Sequence, residues 1–487
     1  MDVRKLTINE LRFGYLKHQF SVREVVSDYL KKINEQDKDL GAYLYVAKEE
    51  ALTTADNLDK KIARGASIGL LAGVPVAVKD VLVTEGMATT AGSRILENYK
   101  PPYNATAVQR ILNEDAIILG KTNCDEFAMG ASGENSGFKP AHNPWNKKCV
   151  PGGSSSGSAA AVAAGLCRIS LGSDTAGSIR QPASFCGLVG VKPTYGRVSR
   201  YGLIAMASSF DTIGPLTATV EEAAQVLQII AGYDHHDATS QNKNVPNYLG
   251  LLKQASKKLR IGVVKEFFAQ GLDTKVGSAV MQALAVMQKF GHELVEVNLP
   301  TIPLGVATYY IITPAEVSAN LARYDGLRYG HGVESNNLFE FYTKTRALLL
   351  GPEVKRRIIL GTYILSAGYY DAYYRQAVLA REAIKADFNK VFAEVDVVAG
   401  PTTPTTAFAL GEKTNDPLAM YLADANTAPV NIAGLPAVSV PCGLIDGLPV
   451  GLQLIGPAWS EGLLMQLVQV YETERGPFLT SLPNKSV

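Results

Sequence analysis

The chain has little of what several function classes need. Its 487 residues include five cysteines, Cys124, Cys149, Cys167, Cys186 and Cys442, odd in number, scattered and without a C-x-x-C pair. That pattern argues against a disulfide framework or a zinc site and fits a reducing cytoplasm. No bound metal is expected. Charge of one sign is lacking too, since 47 Lys and Arg face 46 Asp and Glu for a formal net charge of +1. Bulk electrostatics therefore give no case for nucleic acid, membrane or strongly acidic partners. No uncharged apolar run reaches the roughly 18 residues that a membrane span needs. The N-terminus carries acidic residues and no apolar h-region, so neither a secretory signal nor a transit peptide is expected. No G-x-G-x-x-G follows a strand. Gly120-Lys121-Thr122 resembles the end of a P-loop, but Asp115 stands where its first glycine belongs. None of the six histidines lies in a Ser-His-Asp type of motif, and His142 sits in an Asn-Pro turn context and reads as structural.

What is present is an ordinary globular composition, 47% apolar and 19% charged, with 44 glycines and 24 prolines. The first 65 residues read as helix. Thr7-x-x-Glu10 and Ser21-x-x-Glu24 are capping boxes, and Val22, Val25, Val26, Tyr29, Leu30 and Ile33 recur at helical spacing. From about residue 70, short apolar runs end in Gly, Pro or small polar residues: Gly73–Val78, Ala116–Leu119, Ile169–Leu171, Val395–Ala399, Ala437–Val440 and Val450–Ile455. They read as buried strands, with helical patterns such as Ala105–Asn113 and Val220–Ala231 between them. The alternation predicts an α/β fold with a central mixed sheet covered by helices on both faces. With no repeat or linker in view, residues 1–487 read as one large domain. Residues 1–65 form a helical segment, 70–215 a core with the chemical motifs, and about 304–380 a mainly helical peripheral layer.

The most unusual stretch is Cys149–Thr194, CVPGGSSSGSAAAVAAGLCRISLGSDTAGSIRQPASFCGLVGVKPT. Gly152–Gly157 is a flexible, hydroxyl-rich loop leading into Ser158–Ala164, a run of small residues that allows very close packing. Ser170–Ser178 is a second Gly/Ser turn after an apolar strand, and its N–H groups could converge on an anion. A single Gly/Ser loop is most often only a turn. The long ordered run is different, and it closely resembles the amidase signature family. Gly73–Asp80 is similar to that family's lysine motif, TNCDEFAMGASGENS (Thr122–Ser136) to the segment before its Gly-Ser loop, and LPAVSVPCG with GLPVGLQLIGP to its closing strands.

The resemblance implies an amidase-signature fold and a Ser-cisSer-Lys relay. Ser178 would be the nucleophile, Ser154, held by a cis peptide bond, the proton relay, and Lys79 the base. A lysine ending a strand is ordinarily a solvated loop residue. As a base it must be neutral, which burial without an acidic partner favours; Asp80 should face the other way by strand alternation. The N–H groups of Thr175, Ala176, Gly177 and Ser178 would form the oxyanion hole. Ala176 replaces the family's commoner glycine, and would be strained at positive φ. Tyr195–Pro215, Asn320–Gly330 and Glu353–Tyr374 resemble family members that act as the glutaminase subunit of a tRNA-dependent amidotransferase. For these the resemblance assigns the substrate's carboxylate to Arg357, with Arg356 its near alternative, and its ammonium to Asp424. Tyr309, of the pair Tyr309-Tyr310, would line the pocket. It further implies glutamine as substrate and no cofactor in this chain. ATP and Mg would belong to a tRNA-binding kinase/transamidase partner of B type, with a small partner of C type completing a heterotrimer. The amidated product would be Gln-tRNA, Asn-tRNA or both. Two other readings stay open: a stand-alone amidase for another small carboxamide, and a non-enzymatic scaffold.

Overall fold

The computed structural model describes residues 3–254, 257–269 and 271–479. Its strands are β1 (Tyr43–Val46), β2 (Pro75–Lys79), β3 (Ile117–Thr122), β4 (Ile169–Asp174), β5 (Val189–Lys192), β6 (Thr212–Thr217), β7 (Arg260–Val264), β8 (Glu293–Val297), β9 (Val397–Pro401), β10 (Ala437–Ile445) and β11 (Leu448–Ile455). They join in one mixed sheet ordered β1-β3-β2-β4-β6-β5-β10-β11-β9-β7-β8. Strands β3, β2 and β4 run parallel, as do β9, β7 and β8, while the middle of the sheet and the β1 edge are antiparallel.

Successive strand residues feed different cores. Val76 and Val78 of β2 join one apolar cluster, and Ala77 joins another; in β3, Ile118 parts from Ile117 and Leu119 in the same way. Both faces of the sheet are therefore buried, as the uniformly apolar strands predict. Each such Val or Ile contributes roughly 1.5–3 kcal/mol of transfer free energy when fully buried.

At the N-terminus both capping boxes close. Thr7 and Glu10 exchange bonds at the start of Ile8–Leu16, and Ser21 and Glu24 at the start of Val22–Leu40. The helical reading of residues 1–65 needs one correction. Gly41, at φ +63°, ends the second helix in a left-handed cap, and β1 intervenes before Lys48–Ala63. A four-residue edge strand between two long helices leaves almost no pattern to read. Strands β5 to β8 also lie outside the sequence-derived set; β6 is rich in Thr, Gly and Pro, and β8 carries two exposed glutamates. The 304–380 layer is helical, built from Gly305–Asn320, Leu338–Leu349, Pro352–Ile364 and the start of Arg375–Val391.

Candidate active site

Two neighbouring parallel strands deliver the central groups. Lys79 ends β2 and Asp174 ends β4, and β4 then turns antiparallel to β6. The carboxyl ends of parallel strands beside a change of direction are a common place for a site. Lys79 is fully buried, and its Nζ lies 2.7 Å from Ser154 Oγ and 2.9 Å from Ser173 Oγ. Among the described residues no carboxylate bonds to it. Asp80 faces elsewhere: it accepts from the Thr90 amide at 2.9 Å and lies 3.6 Å from Lys121 Nζ. Burial lowers the Lys79 pKa to about 8, although the charges of Asp125, Asp174 and Asp211 work the other way.

The two Gly/Ser loops are stitched together beside this lysine. The Gly153–Ser154 peptide is cis. Gly153 N–H donates to Gln181 Oε1 at 2.7 Å, Ser155 N–H to the Ser178 carbonyl at 3.2 Å, and Ser155 Oγ to the Ser173 carbonyl at 3.1 Å. The helix Ser156–Ala163 starts at once, and Gly157 N–H meets the Asn123 carbonyl at 3.0 Å, a closeness that a side chain would prevent. Ser178 is 7% exposed, and among the described residues its hydroxyl has no hydrogen-bond partner. The N–H groups of Thr175, Ala176, Gly177 and Ser178 likewise find no backbone acceptor there. Positive φ falls on Gly177, at +145°, and not on Ala176, so the alanine sits in that turn without strain.

A buried ionic network fixes the turn. Asp174 takes the Ile179 amide at 3.2 Å and Arg180 Nε and Nη2 at 3.0 Å each. Burial alone would raise the Asp174 carboxyl, but the Arg180 charge and its hydrogen bonds outweigh it and hold it at about 2. Thr175 Oγ1 donates to Asp211 Oδ1 at 2.7 Å, tying the other side of the turn to the segment before β6.

Arg357 and Asp424 come together around aromatic rings. Arg357 is 2% exposed, whereas the Arg356 side chain is 45% exposed. Arg357 Nε donates to Glu353 Oε1 at 2.7 Å, and its guanidinium lies 5.1 Å from the Tyr310 ring and 5.6 Å from the Tyr421 ring. Those rings stack with centroids 3.7 Å apart, Tyr310 OH donates to Asp424 Oδ2 at 3.2 Å, and Tyr421 OH to Glu353 Oε1 at 2.9 Å. Burial raises the Asp424 carboxyl to about 7 against the Tyr310 bond and the Arg357 charge. A pocket beside them is lined by Tyr310, Tyr421, Glu353, Arg356 and Arg357, with Asp424 behind Tyr310 and not among the lining residues; Tyr309 is buried, its ring 4.9 Å from that of Tyr310 and 5.9 Å from that of Phe210. The pocket shares Ala131 and Ser132 with the wall against Gly153. Thr427 packs on Gly177 and bonds the Asp424 carbonyl at 3.3 Å, so both regions meet at the Thr175–Ser178 turn. Sequence reading missed Tyr421, a lone aromatic, and Ser173. It also passed over Glu353, whose i,i+4 spacing to Arg357 is a legible ion-pair signal.

Among the described residues, a His/Cys/Asp/Glu group able to gather round an ion occurs at Asp234, His235 and His236, where Asp234 already bonds Thr106, Ser199 and His236. No helix among them is long and apolar enough to cross a membrane.

The sheet, the two serine loops and the buried lysine define an amide-cleaving class. The Amidase family profile matches residues 24–465, and the chain belongs to that family. Within it, the chain is similar to the A-type component of glutamyl-tRNA(Gln) amidotransferase of Microcystis aeruginosa, at 54% identity over 467 residues, 96% of this chain and 97% of the relative. A crystal structure of the A-type component of the same amidotransferase from Thermotoga maritima superposes with a TM-score of 0.81 at 40% identity, covering 97% of this chain and 95% of that one. The peptide amidase of Stenotrophomonas maltophilia matches with a TM-score of 0.82 at 30% identity, covering 98% and 99%.

Proposed function

We propose that this chain is the glutaminase subunit of a glutamyl-tRNA(Gln) amidotransferase, and that Ser178, Ser154 and Lys79 hydrolyse the glutamine side-chain amide. The observation that carries the chemistry is the 2.7 Å contact between Ser154 and a fully buried Lys79. A serine hydroxyl must lose its proton as it attacks, and a neutral amine reached through a second hydroxyl can take it. Ser178 Oγ adds to the amide carbon, its proton passes to Ser154 Oγ, and the Ser154 proton passes to Lys79. The N–H groups of Thr175 to Ser178 hold the developing oxyanion. Collapse returns a proton through Ser154 to the leaving nitrogen, which departs as ammonia. Water, activated by the same pair, then releases glutamate and restores Ser178.

Arg357 and Asp424 meet the carboxylate and ammonium of the substrate. Glu353 occupies Arg357 Nε, which leaves the guanidinium's other N–H groups for a carboxylate. An arriving ammonium would lower the Asp424 pKa again and bind its ionised form. Arg357→Ala and Asp424→Ala are therefore expected to raise KM for glutamine about 30-fold or more, the scale of losing one buried charge partner, and to affect a simple aryl amide far less. Steady-state kinetics on both substrates checks this; equal effects would remove these residues from head-group recognition.

Because Lys79 must be neutral, kcat/KM is expected to rise with pH, close to tenfold per unit below about 8, and to level off above it. A flat profile from weakly acidic to alkaline pH would remove Lys79 as the base.

Ammonia would pass to a partner protein that activates tRNA-bound glutamate with ATP and Mg, and a small third protein would complete a cytoplasmic heterotrimer. The reading is tested by purifying the chain alone and with its candidate partners, then measuring glutaminase rate and tRNA retention. Slow hydrolysis alone, accelerated by partners and charged tRNA, is expected. Full activity indifferent to partners, or tight tRNA binding by the single chain, would leave only a stand-alone amidase.

A further inference from the structure

We infer that Glu126 is a positioning residue for the head-group pocket: it clamps the start of the helix that carries Glu353 and Arg357 to the segment that walls the serine relay. The inference rests on the reading of Arg357 as the substrate's carboxylate partner.

Glu126 is 2% exposed and takes no part in the relay. One of its oxygens accepts from Ser93 Oγ, in the loop after β2, and the other accepts the Gly351 amide at 2.7 Å. Gly351 is the N-cap of Pro352–Ile364 and supplies no side-chain cap of its own. A helix start presents unsatisfied N–H groups and the positive end of the helix dipole, so a carboxylate there holds it in place. Here the carboxylate comes from 225 residues away. The fit is close: a Cβ added at Gly351 would collide with Glu126 Oε2, although its φ of −71° suits any residue. Glu353 lies two residues beyond Gly351 and Arg357 six, so a tilt of the helix start shifts both across the Tyr310–Tyr421 stack.

The same segment reaches the relay through the neighbouring carboxylate. Asp125, fully buried, accepts from Gly133 N–H at 3.0 Å and Asn135 N–H at 3.0 Å, and a Cβ at Gly153 would strike it. One carboxylate thus shapes the wall beside Gly153–Ser154 while its neighbour anchors the Arg357 helix. This fixes the spacing between the group that is attacked and the group that is recognised.

The test is steady-state kinetics of the full chain, with its partner proteins where turnover needs them, on glutamine and on an aryl amide without the amino-acid head group. Glu126→Ala and Gly351→Ala are each expected to raise KM for glutamine about five- to tenfold, the scale of losing a helix cap, with little change in kcat and a far smaller effect on the aryl amide. Glu126→Gln should stay within about twofold of the parent, since its carbonyl can accept from Gly351 while its NH2 donates to Ser93 Oγ. The double variant Glu126→Ala/Gly351→Ala should be no worse than either single change, because both break one contact. Arg357→Ala is the control. If it affects both substrates equally, the head-group reading itself fails. If it is selective while Glu126→Ala and Gly351→Ala impair both substrates alike, or neither, the clamp is overturned. Fully additive losses in the double variant, or Glu126→Gln as damaging as Glu126→Ala, would also overturn it.

Discussion

Ser178→Ala is expected to reduce amide hydrolysis by roughly 10³-fold or more while leaving the fold and glutamine binding in place, since the other hydroxyl of the Thr175–Ser178 turn, Thr175 Oγ1, is held by Asp211. Ser154→Ala and Lys79→Ala should be severely impaired for a different reason. They leave the nucleophile but remove the route by which its proton departs. In the proposed relay the three residues act as a unit, so Ser178→Ala/Lys79→Ala should be no slower than Ser178→Ala alone. Lys79→Arg separates charge from basicity: a guanidinium keeps the cation but stays protonated at any working pH, so it should be nearly as inactive as Lys79→Ala. Turnover of glutamine and of an aryl amide, together with trapping of the acyl-enzyme, reads all of these. Near-normal turnover in Ser178→Ala, or a Lys79→Arg enzyme with parental rate, would sink the relay.

Much of this site is legible in the amino-acid sequence, but unevenly. The capping boxes at Thr7 and Ser21 close because the information is local: four residues hold both donor and acceptor. Asp80, one residue past the end of β2, faces Lys121 rather than Lys79, on the side that continued alternation gives it. The Amidase profile and the relatives match nearly the whole chain, in keeping with the long Gly/Ser stretch read from the sequence. Long-range partners are another matter. The Tyr310–Tyr421 stack joins residues from separate helices, and nothing in a lone tyrosine announces a ring across a pocket. The choice between Tyr309 and Tyr310 turns on helix phase, one residue of which exchanges core for pocket. The positive φ at Gly177 instead of Ala176 is a property of the folded turn and has no counterpart in composition. β6, rich in Thr, Gly and Pro, and β8, an edge strand with two exposed glutamates, lack the apolar run that marks the others.

Asp174→Ala is expected to cost about 3–5 kcal/mol of stability, because it leaves Arg180 as an uncompensated buried charge. Arg180 is fully buried, with Nη1 2.5 Å from Gln453 Oε1 and 3.2 Å from the Thr427 carbonyl. Those neutral acceptors remain in the variant, but the only carboxylate bonded to it among the described residues does not. The same change strips the acceptor from Ile179 N–H, so the turn holding Ser178 should loosen and hydrolysis should fall with stability. The paired loss discriminates this account from a general packing defect. Asp174→Ala/Arg180→Met removes both charges and should be less unstable than Asp174→Ala alone, since replacing a buried pair by apolar groups is commonly mild. The pH dependence has a defined sign. Asp174 titrates at about 2 in the folded chain, below its ordinary value of 3.8. Its stabilisation is therefore complete above that ordinary value and is lost as pH falls towards 2, so this part of acid denaturation should be missing in Asp174→Ala. Denaturant unfolding of the three proteins, repeated between neutral pH and pH 3, reads every one of these differences. A variant Asp174→Ala as stable as the parent, or a double variant destabilised by more than the single, would show that the network does not hold the Thr175–Ser178 turn.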